Sequence, residues 1–344
     1  MLDGTRTIGR ETAATGASVT SASEYLLPTE TRRVLHNLAH CMNNVDPATQ
    51  PDAFVEQAHG AARRLPDRLI KCLRHFARFG SSTGTLLLRG LKTGPIPPTP
   101  PDNLAHLGER TLFAKQQAIL AAHIGEMVAY EAEGAGHLFQ DIVPARALAD
   151  RQVSLSSRVE LEAHTEQAHS PSRPDHLLLG CLRGDPLAAT FAWTAQDIVE
   201  TLTLPEVELA REALWTTGVD ESFRLGGAEF KLGDIRGPLP LLYGDAHDPF
   251  LTIDQDLMRG RTRAAEALLA KIIKSYRKNR RGVTLVPGDV LLIDNRRAMH
   301  GRSAFHPQYD EGDRFLLRCF TVHDLGRLRE ARPDASRTVA AVYS

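Results

Sequence analysis

A mixed α+β fold is expected for this chain, with a double-stranded β-helix (jelly-roll) core braced by N-terminal helices. Three features predict it. Apolar residues recur at helical spacing through the first third. From about Phe139 onward, short apolar runs separated by Gly, Pro and Asp take over. A single amphipathic helical pattern then interrupts those runs.

Taken in order, residues 1–20 are polar, lack the apolar core of a signal peptide and read as a flexible tail, leaving 21–344 as one domain. "DAFVEQAHGAARRLPDRLIKCLRHFARFG" has helical periodicity broken at Pro66. "GTLLLRGL" reads as a buried strand and "GPIPPTPP" as a stiff extended connector. "LFAKQQAILAAHIGEMVAYEAEG" is expected to be one helix ending at Gly134. Strands follow at "HLLLGCLRG", "AATFAW", "LPLLYG", "FLTIDQDL", "TLVPGDVLLIDN" and "RFLLRCFTV". Between them "TRAAEALLAKIIKSYRKN" is the amphipathic helix, its cationic end Lys271 to Arg281 expected to be a solvated C-terminal face.

The composition excludes several classes of function. With 344 residues, 42% apolar and 24% charged, the chain can bury a large core. A net charge of −1 gives no basic surface for nucleic acid or an acidic membrane. No apolar run approaches the roughly 18–20 residues needed to span a bilayer. Cys41, Cys72, Cys181 and Cys319 are scattered without CxxC spacing, so each is expected to be a small core residue in a reducing cytoplasm.

Chemistry concentrates in two stretches. In "VELEAHTEQAH" a strand period of two aims His164 and Glu166 the same way, either as a hydrogen-bonded pair or as two thirds of a metal site. In "VLLIDNRRAMHGR" a turn at Pro287 to Asp289 and a core strand lead to His300 in a short loop. Two histidines and one carboxylate have the composition of the facial triad, which leaves three positions on an octahedral Fe(II) for a keto acid and O2; a structural zinc site would instead close with four protein ligands. Downstream, Arg314, Leu316 and Arg318 alternate with Phe315, Leu317 and Cys319, so both arginines share one face of an apolar strand. Buried guanidinium demands an anion: two bound carboxylates, or one ligand and one structural acid.

At these residues the sequence resembles the clavaminate synthase-like Fe(II)/2-oxoglutarate-dependent oxygenases, and within them the free amino-acid hydroxylases that include the L-lysine 3-hydroxylases. "AYEAEGAGHLFQDIVP", "CLRGDP", "WTTGVDESF" and "DPFLTIDQDLMRG" carry the resemblance beyond the triad. It implies that His164, Glu166 and His300 hold Fe(II), and that Arg314, fourteen residues past His300, binds the far carboxylate of 2-oxoglutarate with Thr190. It further implies that Arg318 takes the substrate α-carboxylate, with Gln140, Glu133 and Ser157 as further contacts. Asp254 and Asp256 would face a cationic side-chain end, unless one merely caps a turn. Residues from about 215 to 237 resemble a substrate-closing lid. His169 departs from the aromatic residue common in relatives; a solvent-facing position is expected for it, with contact to the substrate pocket or to the surroundings of the iron as the alternative.

The implied reaction is O2-dependent hydroxylation of free L-lysine at C3, with succinate and CO2 as by-products; a carboxylate ligand at 166 argues against halogenation. Arginine, citrulline or ornithine as substrate, C4 as the site, and a non-catalytic metal-binding jelly-roll stay open.

Overall fold

A computed structural model describes residues 23–42, 45–225, 227 and 229–344. The tail expected at 1–20 lies outside them. After a short strand at Glu24–Leu26 come three helices, Thr29–Cys41, Pro51–Ala62 and Asp67–Phe79, the last two separated at Pro66 as the periodicity predicts.

The large sheet has eight strands. Its order is Glu24–Leu26, Thr85–Arg89, Val290–Asp294, His176–Arg183, Phe315–Val322, Glu126–Tyr130 and Thr338–Val339, with Phe139–Ile142 also pairing on Phe315–Val322. Alternation gives it two apolar faces. Leu86, Leu88, Leu178, Leu182, Val290, Leu292, Leu317 and Cys319 pack against the N-terminal helices. Leu87, Leu177, Leu179, Leu291, Ile293 and Leu316 fall in a separate cluster from the opposite face. A four-stranded sheet, ordered Arg281–Thr284, Ala189–Thr194, Ala298–Arg302 and Leu161–His164, packs Trp193 and Met299 against helix Arg263–Asn279.

Several expectations are corrected. The long helix predicted up to Gly134 is a helix at Leu112–Ala121 followed by strand Glu126–Tyr130. Antiparallel pairing of Met127 with Thr321 and Val128 with Phe320 overrides helical propensity there. Gly125 permits the approach, since a Cβ on it would lie 2.5 Å from the Val322 carbonyl oxygen. His300 sits inside strand Ala298–Arg302 rather than in a loop. The cationic end of helix Arg263–Asn279 is solvated as expected at Lys274, Arg277, Lys278 and Arg281, with ion pairs added between Lys271 and Glu206, Arg280 and Glu160, and Arg281 and Asp197. Cys72, Cys181 and Cys319 are buried as expected, whereas Cys41 is exposed; all four are free thiols.

Helix Leu112–Ala121 is fastened to the sheet through one side chain. Gln117 Nε2 donates to the carbonyls of Leu178 and Leu317, at 2.9 and 3.0 Å. Gly180 makes room, because a Cβ there would meet Gln117 Oε1 at 2.3 Å. Among the described residues no helix is long and apolar enough to cross a membrane. Replacing Gln117 with Leu leaves buried strand carbonyls without that donor and is expected to lower unfolding free energy by about 2 kcal/mol in urea melts, with iron affinity unchanged.

Candidate active site

Both sheets contribute to one cavity, lined from the small sheet by His164, Thr190 and His300 and from the large sheet by Leu177, Leu179, Leu316 and Arg318. His164 and His300 are direct antiparallel partners, so their side chains leave the sheet on the same face. Their ring centroids lie 4.5 Å apart with planes at 49°. His164 Nδ1 is tied to the Glu162 carbonyl at 2.8 Å, which leaves Nε2 free. Burial first, and then His164, hold the His300 pKa below its usual value, favouring a neutral imidazole.

Glu166 reaches the same point by a different route from the one its spacing suggests. The strand ends at His164 and Glu166 lies in the following turn, where Gln167 has a φ of 52°. Asn295 fixes that turn: its Oδ1 accepts from the Glu166 amide at 2.7 Å and its Nδ2 donates to the Glu166 and Pro174 carbonyls. Glu166 Oε1 stands 3.3 Å from His300 Nε2. One donor atom from each of His164, Glu166 and His300 lies within 4.8 Å of the others. Burial raises the Glu166 pKa, but Arg318 and then His300 outweigh it and keep the carboxylate ionised.

A second His–Glu–His cluster, His106, Glu109 and His137, has a different geometry. Its imidazoles stack 3.6 Å apart with planes at 1°. One ion cannot lie in both ring planes, so their lone pairs do not converge. His137 instead binds Glu109 at 3.0 Å.

Arg314 and Arg318 share the cavity as their alternation predicts, although the strand proper begins at Phe315. Their surroundings differ. Arg318 bonds Glu133 and Gln140 and lies 3.2 Å from Glu166 Oε1. No hydrogen-bond acceptor for Arg314 is found among the described residues, and burial lowers its pKa to about 10. Beside it Arg302 is lowered to about 9, by burial and then by Arg314 itself. Its Nη atoms bond Ser303 and Ser156, while its buried Nε has no partner among the described residues. Two desolvated guanidinium groups without a carboxylate form a receptor for an anion.

Asp254 and Asp256 both line the cavity, yet not from a strand: Asp254 makes an isolated antiparallel bridge with His164, and Asp256 lies in the turn that follows. Asp254 also caps that turn, accepting from the Leu257 amide at 2.7 Å. Its pKa is raised to about 7 by burial and by Asp220, a lining residue not singled out in the sequence. Ser157 does not line the cavity; its Oγ meets Tyr309 Oη at 3.1 Å. His169 is buried, contrary to the expected solvent-facing position, because Phe223 and Asp220 enclose it. In the segment 215–237, residues 226 and 228 lie outside the described set. Asn295, Arg302 and Asp220 are the site residues sequence reasoning passed over; Asp220 lay within the quoted "WTTGVDESF".

Residues 241–320 match the family model for taurine catabolism dioxygenase TauD, TfdA family. L-lysine 3-hydroxylase of Catenulispora acidiphila is 49% identical over 292 residues, covering 85% of this chain and 82% of that protein. Clavaminate synthase 2 of Streptomyces clavuligerus is 34% identical over 287 residues, covering 81% and 86%. The chain belongs to the clavaminate synthase-like Fe(II)/2-oxoglutarate-dependent oxygenases. Asparagine oxygenase in complex with Fe(II), 2S,3S-3-hydroxyasparagine and succinate superposes with a TM-score of 0.85 at 28% identity, over 93% of this chain and 99% of that one. The protein is thus a dioxygenase that uses Fe(II), 2-oxoglutarate and O2, which sets aside the non-catalytic metal-binding reading.

The side chains fit these groups. Nitrogen and oxygen donors converge on one point, and the unpartnered guanidinium of Arg314 calls for a carboxylate. Asn295→Ala releases the turn that aims Glu166, and is expected to weaken Fe(II) affinity about tenfold in an equilibrium titration.

Proposed function

We propose that the protein hydroxylates free L-lysine at C3, yielding 3-hydroxylysine, succinate and CO2. One observation carries this reading beyond the 49% identity to a lysine 3-hydroxylase: a cluster of acids, Asp220, Asp254 and Asp256, lines the cavity that also holds the buried arginines. A basic amino acid presents the complementary pattern, a carboxylate at one end and an ammonium at the other. Burying that ammonium without a carboxylate would carry a large desolvation cost.

In this reading His164, Glu166 and His300 are the iron ligands, and Arg314 with Thr190 grips the far carboxylate of 2-oxoglutarate. When bound, the ferrous ion couples oxidative decarboxylation of 2-oxoglutarate by O2 to insertion of one oxygen atom into a substrate C–H bond. The chain's own task is position. Arg318 takes the substrate α-carboxylate, while Glu133 and Gln140, both bonded to Arg318 in the ligand-free site, turn to the α-ammonium. Asp254 and Asp256 hold the side-chain ammonium, which stretches the substrate past the iron and sets the carbon exposed to it. A displacement of about 1 Å would change the carbon attacked. Ser157 supports the wall rather than touching substrate.

The broader reading includes a jelly-roll formed by the two sheets, a single domain over 21–344, and a lid over about 215–237 that excludes water. It places the enzyme in the cytoplasm acting on a small molecule, with neither nucleic acid nor membrane as partner. Arginine, ornithine or citrulline as substrate, or C4 as the site, would keep every iron and cosubstrate residue.

Succinate formation with Fe(II), ascorbate and 2-oxoglutarate is expected to depend on lysine; dependence on arginine or citrulline instead would overturn the substrate assignment. Arg314→Gln is expected to raise the KM for 2-oxoglutarate at least about tenfold and that for lysine far less.

A further inference from the structure

His169 is a buried histidine that the reaction itself does not use. Its Nδ1 lies 3.2 Å from Asp220 Oδ2, and its buried Nε2 has no partner among the described residues. The ring meets Phe223 edge-on at 4.9 Å and Phe230 at 6.5 Å. Asp220, Phe223 and Phe230 all belong to the segment between strands Trp215–Gly218 and Ile235–Leu239. His169 itself belongs to the turn that carries Glu166, closed by the Ser170 amide on the Gln167 carbonyl at 2.8 Å.

We propose that His169 is a positioning residue for substrate: its Nδ1–H holds the Asp220 carboxylate over the cavity, in register with the turn that aims Glu166. Among the described residues Nε2 has no acceptor or donor opposite it and Asp220 is the ring's polar contact, while the two phenylalanines supply an apolar socket for the rest. Asp220 is flanked by acids; it raises the pKa of Asp254 and of Glu133 by its charge. Left to itself, a carboxylate beside two others would swing toward solvent, and Asp220 is still partly exposed. The contact from His169 Nδ1 to Asp220 Oδ2, at 3.2 Å, opposes that swing. The third acid therefore stays in place for the ammonium of a basic amino acid, in keeping with the lysine reading on which this role rests. A phenylalanine at 169 would fill the same socket and release Asp220, making this position a determinant of preference for cationic substrates.

The test uses His169→Phe, His169→Asn, His169→Gln, Asp220→Asn and the His169→Phe/Asp220→Asn double variant of the full chain. Asn can reproduce the Nδ1 donor; Gln places its amide where Nε2 was. For whichever of lysine, arginine and ornithine the wild type turns over, His169→Phe is expected to raise its KM about tenfold with the KM for 2-oxoglutarate within about twofold. His169→Asn should recover most of the loss and His169→Gln little. The double variant should be no worse than Asp220→Asn alone. In the ligand-free protein, amides of residues 219–225 should exchange hydrogen faster in His169→Phe than in His169→Asn. An unchanged substrate KM in His169→Phe, additive effects in the double variant, or equal exchange in the Phe and Asn variants would overturn the role. Wild type inert toward lysine but with the exchange difference intact would remove the substrate assignment and leave the His169 anchor standing.

Discussion

A carboxylate that must stay ionised inside a closed cavity constrains the rest of this molecule. Burial pushes the Glu166 pKa upward, toward the protonated acid, which is a poor ligand for a ferrous ion. Arg318 prevents this from 3.2 Å away, and it in turn is satisfied by Glu133 and Gln140. That network joins the triad to the residues assigned to the substrate's α-carbon. Removing one partner would strand a buried charge rather than subtract one contact, so the site behaves as a unit.

The two sheets divide the labour. Both histidines are cross-strand partners in the small sheet, while Arg318 comes from the cavity face of the large one. On the proposed assignment, iron and its organic ligands would be gripped from opposite walls, with sheet packing fixing the distance between chemistry and recognition. Period-two alternation along Phe315–Val322 makes this possible: Leu317 and Cys319 pack against the helices while Leu316 and Arg318 face inward. The free guanidinium of Arg314 and its neighbour Arg302 complete an anion receptor at one part of the cavity, balanced by Asp220, Asp254 and Asp256 elsewhere in it.

Much of this was legible in the sequence because it rests on local spacing. Both arginines and the strand run from His176 to Arg183 follow from periodicity, whereas the triad came from motif resemblance, since Glu166 lies in a turn and not on the strand its spacing suggested. What was illegible depends on tertiary pairing. Glu126–Tyr130 carries a helix-compatible sequence and becomes a strand only because Phe320–Val322 lies alongside. His300 reads as a loop residue until Ala189–Thr194 and Leu161–His164 pair on either side of it. Asn295 gave no signal, and the sequence marked His169 as a departure without revealing its partner. Each acts on a partner remote in the chain, the first at Glu166 and the second at Asp220, and only the fold brings those together.

The central claim is that opposed charges stretch lysine across the cavity with its third carbon nearest the metal. Mass analysis of the product formed from lysine carrying two deuterium atoms at C3 tests it directly. Loss of one deuterium with gain of one oxygen is the predicted result. A hydroxylated product that keeps both deuterium atoms would contradict the account.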